Sequence, residues 1–151
     1  MFTMAEGLVY IRCGLCGALN SIPAQRVMDH PLCGKCRKIL EFPVRPVETT
    51  AESFGREVFD WPGIVIVEFR SNRCGACALI EPLLERLAYR KAGLVKVVKV
   101  DIERDLSLAN SFQVRSTPTL LVYRNGKLID EIYGARTEPE MHAWLEAAIN
   151  R

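Results

Sequence analysis

Hydrophobic positions become regular from about residue 51, and this part of the chain contains strand-length apolar runs. Residues 64–69 are almost continuously apolar and rich in β-branched side chains, a pattern typical of a strand buried on both faces of a sheet, and residues 95–101 are predicted to form a second central strand. Two more strands are predicted over residues 119–123 and 128–133, because they flank Asn125-Gly126, a residue pair that favours a tight hairpin turn. The pattern therefore predicts a sheet that ends in an antiparallel hairpin.

The segments between these strands have helical periodicity. The predicted helices cover residues 51–59 with Thr50 as a candidate N-cap, 74–90 with a bend at Pro82, 106–112, and 137–149. The last helix opens on a capping box, Thr137-Glu138-Pro139-Glu140. Residues 41–50 hold two prolines and are interpreted as a linker that runs into an edge strand. The resulting order, β-α-β-α-β-α-β-β-α, predicts an α/β fold with a mixed central sheet and helices on both faces.

The first 40 residues lack this regularity. They have weak periodicity and few large side chains, and a segment of about 40 residues usually needs a metal ion or disulfides to fold. We therefore divide the chain into a small module at residues 1–40, a linker and edge strand at 41–50, and a main domain at 51–151.

Six cysteines form three Cys-x-x-Cys pairs, and two of the pairs lie in the small module. These two pairs are separated by 16 residues, which suits four thiolates on one tetrahedral zinc ion. Gly14 and Gly34 are expected to adopt positive φ where the backbone curls around the ion. Two disulfides, or zinc that is released on oxidation, remain alternatives. The four candidate ligands are Cys13, Cys16, Cys33 and Cys36.

The third pair, Cys74 and Cys77, follows a buried strand and opens a predicted helix. A helix N-terminus offers unpaired N–H groups and positive potential, which lower the pKa of a cysteine from about 8.5 toward neutrality. Cys74 is therefore predicted to be the attacking nucleophile, and Cys77, one turn inside the helix, the resolving thiol. The alternative is an inert or purely structural disulfide.

The bulk properties restrict the partners. A net charge of +2 does not favour nucleic acid or an anionic membrane as an obligatory partner, so we expect neither. The apolar runs are shorter than the ~20 residues of a membrane span. Residues 1–11 lack the order of charges and apolar residues of a signal peptide. We therefore expect a cytoplasmic protein, where paired cysteines are more often metal-binding or catalytic than structural.

The combination of a strand, Cys-Gly-x-Cys, a proline-containing helix and a later Thr-Pro before a strand resembles the thioredoxin fold. The resemblance covers residues 51–151. With the four-cysteine segment in front, the whole chain resembles the zinc-ribbon thioredoxins, the thioredoxin 2 class; the stretch Cys-Gly-Leu-Cys-Gly-Ala-Leu-Asn-Ser-Ile-Pro at residues 13–23 is itself similar to that class.

The resemblance implies further roles. Thr117-Pro118 matches the family's cis-proline beside the active disulfide, and Glu68 matches a buried acid beneath the resolving cysteine that accepts its proton. Lys99 matches the lysine next to this acid. The alternatives are that Glu68 turns to solvent and that Lys99 is a surface residue. The expected substrate-binding residues are Arg73, Gly75, Ala76, Thr117, Pro118 and Gly134.

The chain departs from the family pattern in and around the Cys-x-x-Cys motif that carries the redox chemistry. The usual motif is Trp-Cys-Gly-Pro-Cys, whereas here it reads Arg-Cys-Gly-Ala-Cys at residues 73–77, and Arg70 replaces a second tryptophan. The buried acid is glutamate rather than aspartate. Arg73 should stabilise the Cys74 thiolate, and a more stable thiolate makes the disulfide more oxidising. We therefore expect an altered reduction potential or an altered choice of partner.

The resemblance implies that the protein is a protein-disulfide reductase. Its expected cofactors are a structural Zn²⁺ and the redox-active disulfide Cys74–Cys77, with no organic cofactor. Its expected partners are disulfide-containing client proteins and a thioredoxin reductase, the NADPH-dependent flavoprotein. The alternatives are a thioredoxin-fold binding or chaperone module, and a disulfide isomerase or oxidant with a retuned potential.

Overall fold

The computed structural model describes residues 7–151, so the first six residues of the predicted N-terminal module lie outside it. The module begins with an antiparallel hairpin of β1 (Leu8–Arg12) and β2 (Leu19–Pro23), followed by a 3₁₀ turn at Ala24–Asp29. An isolated bridge between Leu32 and Ile39 closes a second loop. Each of the two loops carries one cysteine pair, so the hairpin and the bridge place both pairs side by side.

Residues 7–151 also contain a five-stranded mixed sheet with the order β3-β5-β4-β6-β7. Strands β3, β5 and β4 run parallel, and β6 and β7 are antiparallel to their neighbours. The mixed sheet with a terminal hairpin confirms the predicted fold class. The strands are β3 (Val47–Glu48), β4 (Ile64–Arg70), β5 (Val95–Asp101), β6 (Thr119–Arg124) and β7 (Lys127–Tyr133).

Helices cover both faces of this sheet. On one face, α1 (Gly75–Arg90) and α3 (Glu138–Ile149) pack against the apolar side chains of β4, β5 and β6. On the other face lie α2 (Leu106–Ser111) and the segment around Phe54. The capping box predicted at the start of α3 is present, with Thr137 accepting from the Glu140 amide and Glu140 accepting from the Thr137 amide.

The helix predicted over residues 51–59 differs in the structure. Residues 51–53 form a turn, and the helical part continues as a π-helix at Gly55–Phe59, where the Asp60 N–H donates to the Gly55 carbonyl at 2.9 Å. The physical reason is side-chain burial: Phe54 and Val58 pack against the sheet, and Phe54 makes edge-on ring contacts with Phe59. Helix type here follows tertiary packing rather than periodicity.

The N-terminal module packs directly against the main domain. Val9 and Val27 of the module share a cluster with Ala92 and Leu94, which precede β5. Gly93 has φ +88°, and a Cβ at this position would lie 2.7 Å from Val27 Cγ2, so the close approach needs a glycine. The two parts of the chain therefore share apolar contacts.

Within residues 7–151, no helix has both the length and the apolar composition that crossing a membrane requires.

Candidate functional site

Cys74 and Cys77 form a disulfide at the N-terminus of α1, with their Cα atoms 5.3 Å apart. Cys74 is the N-cap of the helix, and its Sγ accepts a hydrogen bond from the Cys77 backbone N–H at 3.0 Å. Cys74 is partly exposed, whereas Cys77 is fully buried. A sulfur that caps a helix receives both the free N–H groups and the positive end of the helix dipole, and this arrangement favours a thiolate at Cys74.

The Thr117–Pro118 peptide bond is cis, as the resemblance implies. Pro118 directly precedes β6, whose first residue Thr119 pairs with Phe69 near the end of β4. The Pro118 carbonyl accepts from the Gly134 N–H at 2.9 Å, so the loop after β7 lies beside it. Gly134 has φ +81°, a conformation that side chains disfavour. The sheet thus brings the two loops to the end of β4 that leads into the cysteine pair.

Glu68, on β4, is only 1% exposed, and neither carboxylate oxygen has a hydrogen-bond partner among the described residues. Burial raises the pKa of this carboxyl to about 7, and the negative charges of Glu81 and Glu48 act in the same direction. Arg70 and Lys99 oppose the increase in pKa. The alternative in which Glu68 turns to solvent is therefore not what the structure shows.

Lys99 lies opposite Glu68 in the register of β4 and β5. Its Nζ, however, donates to Glu81 Oε1 at 2.9 Å rather than to the buried acid. This hydrogen bond lowers the pKa of Glu81. Sequence reasoning missed Glu81; the available signal was its position four residues after Cys77, on the same face of α1.

The two unusual arginines are already engaged near the cysteine pair. The Arg73 side chain is 88% exposed, and its Nε lies 3.7 Å from Glu103 Oε2. The other oxygen of Glu103 accepts from the Ser71 hydroxyl at 2.6 Å. Arg70 Nη1 donates to Asn72 at 3.1 Å. Because Arg73 already faces a carboxylate, its effect on the Cys74 thiolate stays a prediction. Gly75 is exposed and Ala76 half-buried in the first turn of α1.

The remaining four cysteines form a compact cluster. Their Sγ atoms all lie within 4.8 Å of one another, with Cys13–Cys36 and Cys16–Cys33 each at 3.6 Å, and all four are free thiols. Four thiolates around a zinc ion, with Zn–S bonds of about 2.3 Å, place the sulfurs about 3.8 Å apart. The donor set and its size therefore fit a tetrahedral zinc ion, and the alternative of two disulfides is not observed.

Backbone amides and one side chain support these sulfurs. Cys13 Sγ accepts from the Leu15 N–H, and Cys33 Sγ from the Lys35 N–H, each at 3.4 Å. The buried Asn20 donates Nδ2 to Cys33 Sγ at 3.5 Å and accepts from the Gly34 N–H at 2.9 Å. Backbone N–H groups, that of Cys36 first, and the Asn20 amide lower the pKa of Cys33 to about 6. Sequence reasoning missed Asn20, since an asparagine in a loop-rich segment carries no distinctive pattern.

The expectation for Gly14 and Gly34 was wrong. Neither has a positive φ; next to the two cysteine pairs, the residues with positive φ are Gly17 and Arg37, with φ of 75° and 70°. Each follows the second cysteine of its pair, and its N–H returns to the carbonyl of the first, Cys13 or Cys33, at 2.9 Å. The backbone therefore reverses after the pair, not inside it.

Comparison with known proteins agrees with both halves of the chain. The family model for thioredoxin matches residues 45–147, and the model for the thioredoxin 2 N-terminal zinc ribbon matches residues 12–38. Thioredoxin C-3 of Corynebacterium nephridii is 29% identical over 141 residues, which cover 93% of this chain and 96% of that protein. Thioredoxin C-2 of the same organism is 34% identical over 103 residues, covering 68% of this chain and 95% of its own length.

The solved structures include a similar fold. A thioredoxin variant from Halobacterium salinarum superimposes with a TM-score of 0.63 at 25% sequence identity, covering 73% of this chain and 96% of its own. The match to the N-terminal ribbon itself comes from the thioredoxin 2 model. Taken with the disulfide at the start of α1 and the four-cysteine cluster, these matches show that the chain belongs to the thioredoxin family of thiol–disulfide oxidoreductases and carries the zinc ribbon of the thioredoxin 2 class.

Proposed function

We propose that the protein reduces disulfides in client proteins, with Cys74 as nucleophile and Cys77 as resolving thiol. The observation that carries this assignment is the asymmetry of the pair: Cys74 is partly exposed at the helix N-cap, and Cys77 is buried behind it. In the first step the Cys74 thiolate attacks one client sulfur, forms a mixed disulfide and expels the other client sulfur as a thiolate. In the second, the Cys77 thiolate attacks Cys74 Sγ, which releases the second client thiolate and leaves the Cys74–Cys77 disulfide.

Cys77 must lose a proton before this second step, and we assign that proton to Glu68. A carboxyl whose pKa is raised to about 7 by burial can both accept and release a proton near neutral pH. Its two unbonded oxygens are free to accept a hydrogen bond. Lys99 acts on this acid through its charge, which opposes the increase in the pKa of Glu68.

The client would bind over the two loops that meet beside the cysteine pair. Thr117 and Pro118 lie in the loop that leads into β6, at the end of the sheet where β4 runs toward the cysteine pair, and we assign them to backbone pairing with an extended client segment. Gly134 adjoins Pro118 through its N–H bond and keeps this surface free of a side chain. Arg73, with Gly75 and Ala76, forms the border on the side of α1 and would contact client side chains.

We assign the four-cysteine cluster to a structural zinc ion held by Cys13, Cys16, Cys33 and Cys36. When bound, zinc would cross-link the two loops of the ribbon without redox chemistry of its own. We further propose that a flavoprotein thioredoxin reductase returns electrons to the Cys74–Cys77 disulfide, and that the protein works in the cytoplasm, where paired cysteines are more often metal-binding or catalytic than structural.

The test is reduction of insulin by dithiothreitol, followed by turbidity. We expect the wild-type protein to accelerate the reaction, Cys74→Ser to abolish the acceleration, and Cys77→Ser to accumulate a mixed disulfide that non-reducing electrophoresis detects. Cys36→Ser, in the ribbon, is the control cysteine and should keep the first step. A wild-type protein without activity would instead support a binding module, and net disulfide formation in a reduced substrate would support an isomerase or oxidant.

A further inference from the structure

We propose that Glu81 is a positioning residue: it holds Lys99 on the side of α1 and so keeps that cation from pairing with the buried Glu68. The inference rests on the proposed role of Glu68 and names the residue that regulates it. The contact between Glu81 and Lys99 itself depends on how α1 lies over β5.

Lys99 lies next to the buried acid in the sheet but bonds another residue. Glu68 and Lys99 are direct neighbours in the register of β4 and β5, so their side chains leave the same face of the sheet on strands about 4.8 Å apart. A lysine at that position is within reach of the acid. Its Nζ nevertheless lies 2.9 Å from Glu81 Oε1, while both Glu68 oxygens remain unbonded within the described part of the chain.

Four charged side chains surround Glu68. They come from its own strand (Arg70), from β5 (Lys99), from β3 (Glu48) and from α1 (Glu81). The Lys99 and Glu81 side chains are 16% and 29% exposed, so solvent screens their ion pair less than it would screen a surface pair. Loss of Glu81 removes one negative charge near the acid and releases one positive charge. Both changes favour ionised Glu68, so the expected sign is unambiguous.

Without Glu81, Lys99 would lose the ion pair that holds it against α1. It lines an open cleft of about 510 Å³ together with Arg45, Glu85 and Tyr89. Released Lys99 can turn inward to Glu68 or outward into this cleft. The proposal requires the inward turn, which makes it open to refutation.

The experiment is a titration of the Glu68 carboxyl in the oxidised protein, by NMR with carbon-13 in the glutamate carboxyls. Glu81→Ala should lower the Glu68 midpoint by about one pH unit or more, because an opposite charge then lies close to the acid. Glu81→Gln, which keeps an oxygen for Lys99, should lower it less. Glu85→Ala, one turn further along α1 and on the same cleft, is the matched control and should leave the midpoint unchanged.

A double-mutant cycle separates positioning from simple charge. In a Lys99→Met background, Glu81→Ala should have less than half of its effect on the midpoint. An unchanged midpoint in Glu81→Ala, or an equal decrease with and without Lys99, would overturn the proposal. The titration needs no turnover, so a protein that reduces no insulin but shows the expected midpoints would contradict only the proposed function.

Discussion

At the scale of single residues, Glu68 has a measurable cost to stability. Its apolar site disfavours the ionised carboxylate, so its pKa in the folded protein is about 7 against an ordinary value of 4.5. The carboxyl is neutral at low pH and must ionise in this site at higher pH. The native state therefore binds this proton more tightly than the unfolded chain. The contribution of this proton to the free energy of unfolding is complete below the ordinary pKa. It is lost as the pH rises through the native pKa, by about 3 kcal/mol in total.

We expect Glu68→Gln to remove this pH dependence. The free energy of unfolding of the oxidised wild type should decrease between about pH 4.5 and pH 8 more than that of the variant does, by about 3 kcal/mol. Urea unfolding at several pH values measures both slopes, and the difference between them isolates Glu68 from other titrating groups. Glu85→Gln, an exposed carboxyl, should keep the wild-type slope. Equal slopes in wild type and Glu68→Gln would show that Glu68 is not buried as an acid.

Asn20 is the residue whose loss should weaken the metal site without removing a ligand. Its side chain connects Cys33 Sγ to the Gly34 amide, and so orients one sulfur and one loop at the same time. We expect Asn20→Ala to bind zinc about 10-fold more weakly, as is typical when a supporting hydrogen bond to a ligand is lost. Competition with a chromophoric chelator measures the affinity.

Ser21→Ala is the matched control for Asn20, because Ser21 is the next residue of β2 and its side chain is exposed. It should bind zinc like the wild type. A wild-type affinity in Asn20→Ala would mean that the backbone amides alone orient the Cys33 sulfur.

At the scale of elements, the start of α1 determines the redox chemistry. The Cys74 sulfur accepts from the Cys77 N–H, and the turn that carries it contains Ala76 in place of the family's proline. Arg73, next to Cys74 in the chain, is expected to favour the Cys74 thiolate, although the Arg73 Nε already lies 3.7 Å from Glu103 Oε2. Each feature that favours the thiolate stabilises the reduced form and makes the pair more oxidising.

We expect the Cys74–Cys77 potential to be less negative than the value of about −270 mV typical of thioredoxin. The double variant Arg73→Trp with Ala76→Pro should move it toward that value, and Arg90→Trp, an exposed arginine at the far end of α1, should not. Equilibration with glutathione buffers, read by thiol labelling, measures all three. A wild-type potential already at the typical value would contradict the expectation.

Sequence patterns predicted the elements of the main domain better than those of the ribbon. Strand 64–69 is apolar at every position except Glu68, and strand 95–101 is rich in valine, because both strands lie in the centre of the sheet; that signal survives without any tertiary information. Strand β1 reads Leu-Val-Tyr-Ile-Arg, in which exposed and buried positions alternate although four of the five are apolar, so no alternation is visible in the sequence. The hairpin was therefore missed, while its cysteines were found.

Sequence patterns predicted the site residues whose chemistry requires one residue type, such as the cysteines. They did not predict which side chains contact each other in the folded protein. The Cys-x-x-Cys spacing is recognisable in the sequence, and the four ribbon cysteines form one cluster in the structure. Whether Lys99 pairs with Glu68 or Glu81 depends on how α1 lies over β5, which no local pattern specifies. Thiolate support by Asn20 likewise depends on a contact across 13 residues of chain.

At the scale of the whole molecule, Trp61 connects the ribbon to the main domain. Its side chain packs against the apolar cluster of the ribbon, which contains Ile11, Leu40 and two of the four cysteines, and also against the core on the α2 face of the sheet. Lys96 Nζ lies 3.9 Å from the centre of this ring, and the same buried ammonium bonds the Glu57 carbonyl at 3.0 Å and the Glu57 carboxylate. The ribbon, a buried ion pair and the sheet are thus in continuous contact, so the metal site should affect the stability of the main domain.

We expect removal of the metal to change the environment of Trp61 and to destabilise the protein as a whole. In a Trp144→Phe background, where Trp61 is the remaining tryptophan of the sequence, chelation should shift the emission to longer wavelength because the ring loses its packing against the ribbon. The thermal midpoint should decrease by about 5 °C or more, which corresponds to roughly 1–2 kcal/mol in a chain of this size. Trp61→Phe, which keeps Trp144 on α3, is the control and should show the thermal decrease with little change in emission. If the four ribbon thiols became reactive on chelation while the emission and the midpoint stayed constant, the ribbon would be energetically independent of the thioredoxin domain, and the contacts of Trp61 would contribute nothing to their coupling.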